Sequence, residues 1–135
     1  MIATLREWLA KADNDLLNAV HTLKLGSDCP TDTVCFHAQQ CVEKYIKALL
    51  VFQGATSPKT HNIRELRALL RPRLRPKLET KVQDRLTLYA TVWRYPGAGL
   101  DIPLGEARES VAIARRVRKE VRKHLPRAAL RRGRK

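Results

Sequence analysis

The sequence is poor in acidic residues and has no long apolar run. It holds 13 Asp and Glu against 27 Lys and Arg, giving a formal net charge of +14 over 135 residues. No apolar stretch approaches the ~18 residues of a membrane-spanning helix, so no membrane span is expected. Met1 to Ala10 carries Arg6 and Glu7 within an amphipathic pattern, so it does not read as a signal peptide. A cytoplasmic location is therefore expected. The three cysteines, Cys29, Cys35 and Cys41, are odd in number and spaced C-x5-C-x5-C. That spacing fits no zinc pattern, and the odd count argues against a disulfide framework. Cys35 and Cys41 lie among apolar residues and read as small core residues. There is no G-x-x-x-x-G-K-[ST] phosphate loop, no His/Cys/Asp/Glu cluster with metal spacing and no Ser-His-Asp arrangement. No metal and no cofactor are expected. Alternating strand patterns and internal repeats are absent as well.

What is present is helical periodicity. Leu5, Trp8, Ala12, Leu16, Ala19 and Leu23 recur at three- and four-residue steps, with Thr4 and Glu7 spaced as a capping box and Gly26 placed as a stop. Pro30, Thr31 and Asp32 signal a second helix that Gly54 ends. Residues 55 to 62 read as a loop, and Asn62 or Thr60 caps a short third helix reaching Leu70. Leu74, Leu78, Val82, Leu86, Tyr89 and Trp93 form the stripe of a fourth. Ala107, Val111, Ala114, Val117, Val121 and Leu125 form that of a fifth, ended by Pro126. Four long amphipathic segments and one short one predict an all-α fold. The expected arrangement is an up-and-down antiparallel bundle over residues 1–126, followed by a basic tail at 127–135.

Charge is unevenly spread. From Arg108 onward there are 12 Lys and Arg and 2 Asp and Glu, a balance of +10; the preceding 107 residues hold 15 and 11, a balance of +4. A strongly basic end favours acidic partners such as nucleic acid or an acidic protein.

The second helix raises a sharper question. Placed at 100° per residue, Val34, Ala38, Cys41, Val42, Tyr45, Ile46, Leu49 and Phe52 fill an apolar arc. His37, Gln40, Glu43, Lys44 and Lys47 fill a strip of about 120° opposite, the expected solvent face. Gln39 falls inside the apolar arc, where an unbonded amide would cost ~1–3 kcal/mol. Phe36 and Val51 fall on the polar side and, with Gln40, are candidates for a subunit interface.

Three stretches carry a family resemblance: FHAQQCVEKYIKALL (Phe36 to Leu50), KTHNIREL (Lys59 to Leu66) and LYATVWRYPG (Leu88 to Gly97). With Trp8 and the segment Ala12 to Ala19, they resemble the HEPN family, the higher eukaryote and prokaryote nucleotide-binding domains, over roughly residues 5 to 125. The resemblance implies a helical bundle that often dimerises. It also implies a frequent pairing with a minimal nucleotidyltransferase (MNT) in two-gene modules that look like toxin–antitoxin systems. Many family members are metal-independent ribonucleases whose signature is Arg, four to six residues, then His.

This sequence departs from that signature. Arg94 is the natural candidate arginine, but Gly99, Leu100 and Asp101 stand where the histidine belongs. Arg118 and His124 match formally, on a helix rich in arginine, with side chains about 120° apart. The catalytic candidates are therefore Arg94, His61, Arg118 and His124, none of them assigned. The candidate phosphate contacts are Lys44, Lys47, Lys59, His61, Arg94 and Tyr95, with a basic ridge at Arg108, Arg115 and Arg122. Three functions follow as expectations. The first is a dimer that binds nucleotide or RNA phosphates beside an MNT-type partner. The others are a ribonuclease toxin and a non-catalytic dimeric adaptor.

Overall fold

A computed structural model describes residues 1–91, 96 and 101–131. Among them every regular element is helical: α1 (Ile2–Leu23), α2 (Thr31–Phe52), α3 (Ile63–Ala68), α4 (Thr80–Thr91), α5 (Leu104–Arg122) and α6 (Arg127–Leu130). Short 3-10 turns occupy Gly26–Asp28 and Pro72–Leu74. No helix in the described residues is long and apolar enough to cross a membrane.

Helix α2 is the centre of the fold. It packs against α1, α3, α4 and α5, and 13 of its 22 residues are buried. Its apolar arc meets Leu5, Leu9 and Ala12 of α1, Leu86 and Tyr89 of α4, and Val111, Ala114 and Val117 of α5 in one core. Cys35 and Cys41 lie fully buried in that core, and Cys29 is half-buried.

The sequence signals for helix ends are used unequally. Gly54 has φ +85°, the left-handed region where glycine is favoured. Its N–H donates to the Val51 carbonyl while the Ala55 N–H donates to that of Leu50, so α2 closes in a Schellman motif. Asn62 caps α3, its side-chain oxygen accepting from the Glu65 N–H at 3.0 Å. Thr4 and Glu7 do not form a capping box, because α1 starts at Ile2 and Thr4 is already inside it.

Helix α3 stops at Ala68, short of Leu70, and α5 at Arg122, short of Pro126, and two further stretches depart more widely from the sequence expectation. Leu74 and Leu78 are buried as the fourth stripe predicts, but they lie outside α4. Pro76 has no N–H to continue a helix, and the chain around it is fastened instead by side chains. Arg67 Nε donates to the Pro76 carbonyl at 2.8 Å, and Arg75 donates to the carbonyls of Leu70 and Ala68. At the basic end, residues 127–130 are not a departing tail. They form α6, which buries Ala129 and accepts a 2.9 Å bond from Arg6 Nε at the Ala128 carbonyl. Residues 132–135 lie outside the described residues.

Candidate functional site

The polar strip of α2 is not a solvent face. Glu43 is 2% exposed and Lys47 7% exposed, because α1 and the loop before α3 cover this side of the helix. Lys47 Nζ donates to Glu43 Oε2 at 3.1 Å, one turn away. It also lies 5.7 Å from the centre of the half-buried Trp8 ring, within cation–π range. His61, in the loop before α3, places Nδ1 2.8 Å from Glu43 Oε1. Glu43 thus accepts from two charged or chargeable partners in a dry setting. Such a pair persists only when further hydrogen bonds complete it.

Gln39 supplies them. It is fully buried, as its place in the apolar arc predicts. Its Nε2 donates to Glu43 Oε1 at 3.1 Å and to the His61 carbonyl at 3.3 Å. Its Oε1 accepts from Gln40 Nε2 at 2.7 Å. The cluster therefore ties α2 to the loop before α3 through both a side chain and a backbone group. The His61 side chain is 55% exposed, and its Nε2 has no protein partner among the described residues. A histidine held at Nδ1 by a carboxylate presents Nε2 in a fixed orientation, an arrangement suited to proton transfer or to an anion.

A second cluster lies between α1 and the same face of α2. Asp15, 8% exposed, receives His37 Nδ1 at 2.8 Å and Lys44 Nζ at 2.5 Å. A third joins three helices. Asp13 of α1 accepts from the Tyr45 hydroxyl of α2 and, at 2.9 Å, from Arg118 Nε of α5; Arg122 lies 4.0 Å away. Burial, then the bond to Asp13, pushes the Tyr45 hydroxyl well above its ordinary pKa. Burial pulls Arg118 down, but the bond to Asp13 and the neighbouring Tyr45 outweigh it and leave the guanidinium raised. Burial also pushes the Cys41 thiol far up and the Cys35 thiol to about 11, against the hydrogen bond it shares with Ser110. Neither cysteine is a nucleophile in this setting.

The residues singled out from sequence are thus sorted. Lys47 and His61 meet on Glu43, and Lys44 joins His37 on Asp15, so both lysines are neutralised within the fold instead of being exposed. Lys59 is exposed and forms no ion pair among the described residues. Arg94 and Tyr95 lie outside the described residues. Arg118 is committed to Asp13, while His124 is exposed just beyond α5, with no bond to Arg118. Phe36 and Val51 are half-buried; Phe36 sets its ring edge-on to His37 at 5.4 Å, and Val51 packs on the core. No group of His, Cys, Asp and Glu with metal-binding geometry occurs among the described residues.

Asp13 and Asp15 were not singled out by sequence reasoning, and Glu43 entered only as part of the expected solvent face, paired with Lys47 one turn on. The available signal was that Gln39, a buried amide, needs a partner one turn along, where Glu43 stands.

The HEPN domain model matches residues 5–124. The chain belongs to the HEPN family. Among solved structures, this HEPN chain is similar to the crystal structure of TT1696 from Thermus thermophilus. The identity is 28% and the TM-score 0.74, covering 90% of this chain and 98% of that one. No curated protein matches it. HEPN membership points to a nucleotide- or RNA-related role, and it covers the three clusters together, since all their residues lie within the matched span.

Proposed function

We propose that this HEPN protein binds the phosphates of RNA or of a nucleotide. In this reading it is a cytoplasmic homodimer, its four long helices arranged up and down, acting with a small nucleotidyltransferase in a two-gene, toxin–antitoxin-like module. One observation carries the binding reading. The acids of the α1–α2 region neutralise the internal lysines and histidines, whereas the exposed cations of α5 have few acids beside them. Unneutralised surface charge of one sign draws a polyanion and speeds its capture. The test is titration with ATP, GTP and a short RNA at low and moderate salt. Saturable binding that weakens with salt is expected, and no binding at either salt would refute the reading. Co-expression with a small nucleotidyltransferase, followed by co-purification, tests the partner.

The Glu43–His61 bond favours a second reading, a metal-independent ribonuclease. Glu43 would orient His61, and Nε2 would take the proton of a ribose 2′-hydroxyl. Cleavage of RNA in the presence of a chelator, lost in His61→Ala and reduced in Glu43→Gln, is the expected pattern. Cleavage that survives His61→Ala would place the chemistry elsewhere.

A further inference from the structure

The outer face of α5 is one-sided in charge. Arg108, Arg115, Arg116, Lys119 and Lys123, just past the helix end, are all exposed, and none forms a salt bridge among the described residues. At 100° per residue they fall within an arc of about 100°. At 1.5 Å per residue they span about 22 Å. The two acids of this helix segment that could offset them are engaged elsewhere: Glu109 pairs with Arg85, and Glu120 accepts the Lys77 N–H. The face also works against its own helix. Arg115 and Lys119, and Lys119 and Lys123, are like charges four residues apart, an arrangement that weakens a helix. Lys119 and Lys123 suit the negative helix end, but Arg108, Arg115 and Arg116 lie too far from it to gain by that.

We propose that this face docks on the sugar–phosphate backbone of a nucleic-acid duplex. The inference rests on the phosphate-binding reading above and narrows it to a surface and a polymer. Three features select the duplex. The large exposed apolar residues of the described chain are Met1, Leu17, Leu25, Leu69 and Leu88, none of them on α5. The face therefore lacks the apolar centre of a protein interface. It carries no aromatic residue, and single-stranded binders rely on aromatic platforms for their bases. The cations are also spread along a convex rod and do not converge around one pocket, which suits repeated phosphates better than the phosphates of one nucleotide. Contact through phosphates alone makes the docking independent of base sequence.

The test compares three proteins: wild type; Arg108→Gln/Arg115→Gln/Arg116→Gln/Lys119→Gln; and a control that removes the same charge elsewhere, Lys11→Gln/Lys24→Gln/Arg71→Gln/Arg73→Gln. Fluorescence anisotropy is read with an RNA duplex, a DNA duplex, single-stranded RNA of equal length, ATP and a polyglutamate peptide. Far-UV circular dichroism verifies folding. Five phosphate contacts give a log–log salt slope near −4.5, so wild-type affinity for a duplex should fall about 500-fold between 50 and 200 mM salt. With one contact left, the α5 variant should fall only about 3-fold over that range. The control should keep the wild-type slope. The two duplexes distinguish RNA from DNA as the source of the backbone. An unchanged slope in the α5 variant, an equal loss in the control, or tighter binding of single strands or polyglutamate than of either duplex would overturn the duplex-docking inference. The phosphate reading would still stand if wild type bound RNA or nucleotide, and it would fall with the inference if wild type bound neither.

Discussion

Lys47 on α2 and Lys119 on α5 are the same residue type on packed neighbouring helices, and their circumstances are opposite. Lys47 is buried, holds Glu43 and lies over Trp8. Lys119 is exposed, flanked by other cations and bound to nothing described. A lysine of the first kind is part of the folding energy, and removing its partner leaves a charge stranded away from water. A lysine of the second kind contributes little or nothing to stability and is free for an outside anion. Charge count alone does not separate the two. The positions of the acids do: Asp15 and Glu43 hold the lysines and histidines between α1, α2 and the loop before α3, Asp13 takes the inward-facing Arg118 and Arg122 of α5, and none of the three pairs with the outer face of α5.

The widest break in that contrast should come from Glu43→Gln. It removes one charge of a buried pair and should cost about 3–5 kcal/mol, measured by urea denaturation. Glu43→Leu combined with Lys47→Met should recover most of that loss, since no charge is then stranded. A Glu43→Gln protein as stable as wild type would mean that water reaches this pair and that the contrast is false. Tyr45→Phe is the next largest change. It deletes a hydroxyl bonded to a carboxylate and should cost about 1.5–3 kcal/mol. Asn62→Ala should cost about 1 kcal/mol by removing the α3 cap that sets the approach of His61 to Glu43. The smallest effect belongs to α5: Arg115→Gln with Lys119→Gln should change stability by no more than about 0.5 kcal/mol, and a thermal melt that shifts upward would show the relief of like-charge crowding.

The fold was legible because apolar stripes are nearly sufficient to set helix faces. Leu5, Ala12, Leu86, Tyr89, Ala114 and Val117 all reach the core as their spacing requires. Gly54 and Asn62 end and start helices as their chemistry dictates. The clusters were less legible, for a physical reason. A helical wheel shows which residues share a side, but not what lies against that side. The strip from His37 to Lys47 was polar and contiguous, and only the position of α1 and of the loop carrying His61 turns it inward. Gln39 alone gave warning, since a buried amide demands a bonded neighbour. The start of α4 was hidden because the stripe through Leu74 and Leu78 continues past Pro76 without a change of spacing. The docking of α6 was hidden because four residues carry too little periodicity to read.

The stacking of Lys47 on Trp8 has an optical consequence. The sequence has two tryptophans, Trp8 and Trp93, so a Trp93→Phe protein emits from Trp8 alone. Its emission then reports the distance of a single ammonium group. That group is held by Glu43, and Glu43 is held in turn by His61 and Gln39. An anion settling on His61 at the loop before α3 would therefore register as a change in the light from a ring on α1.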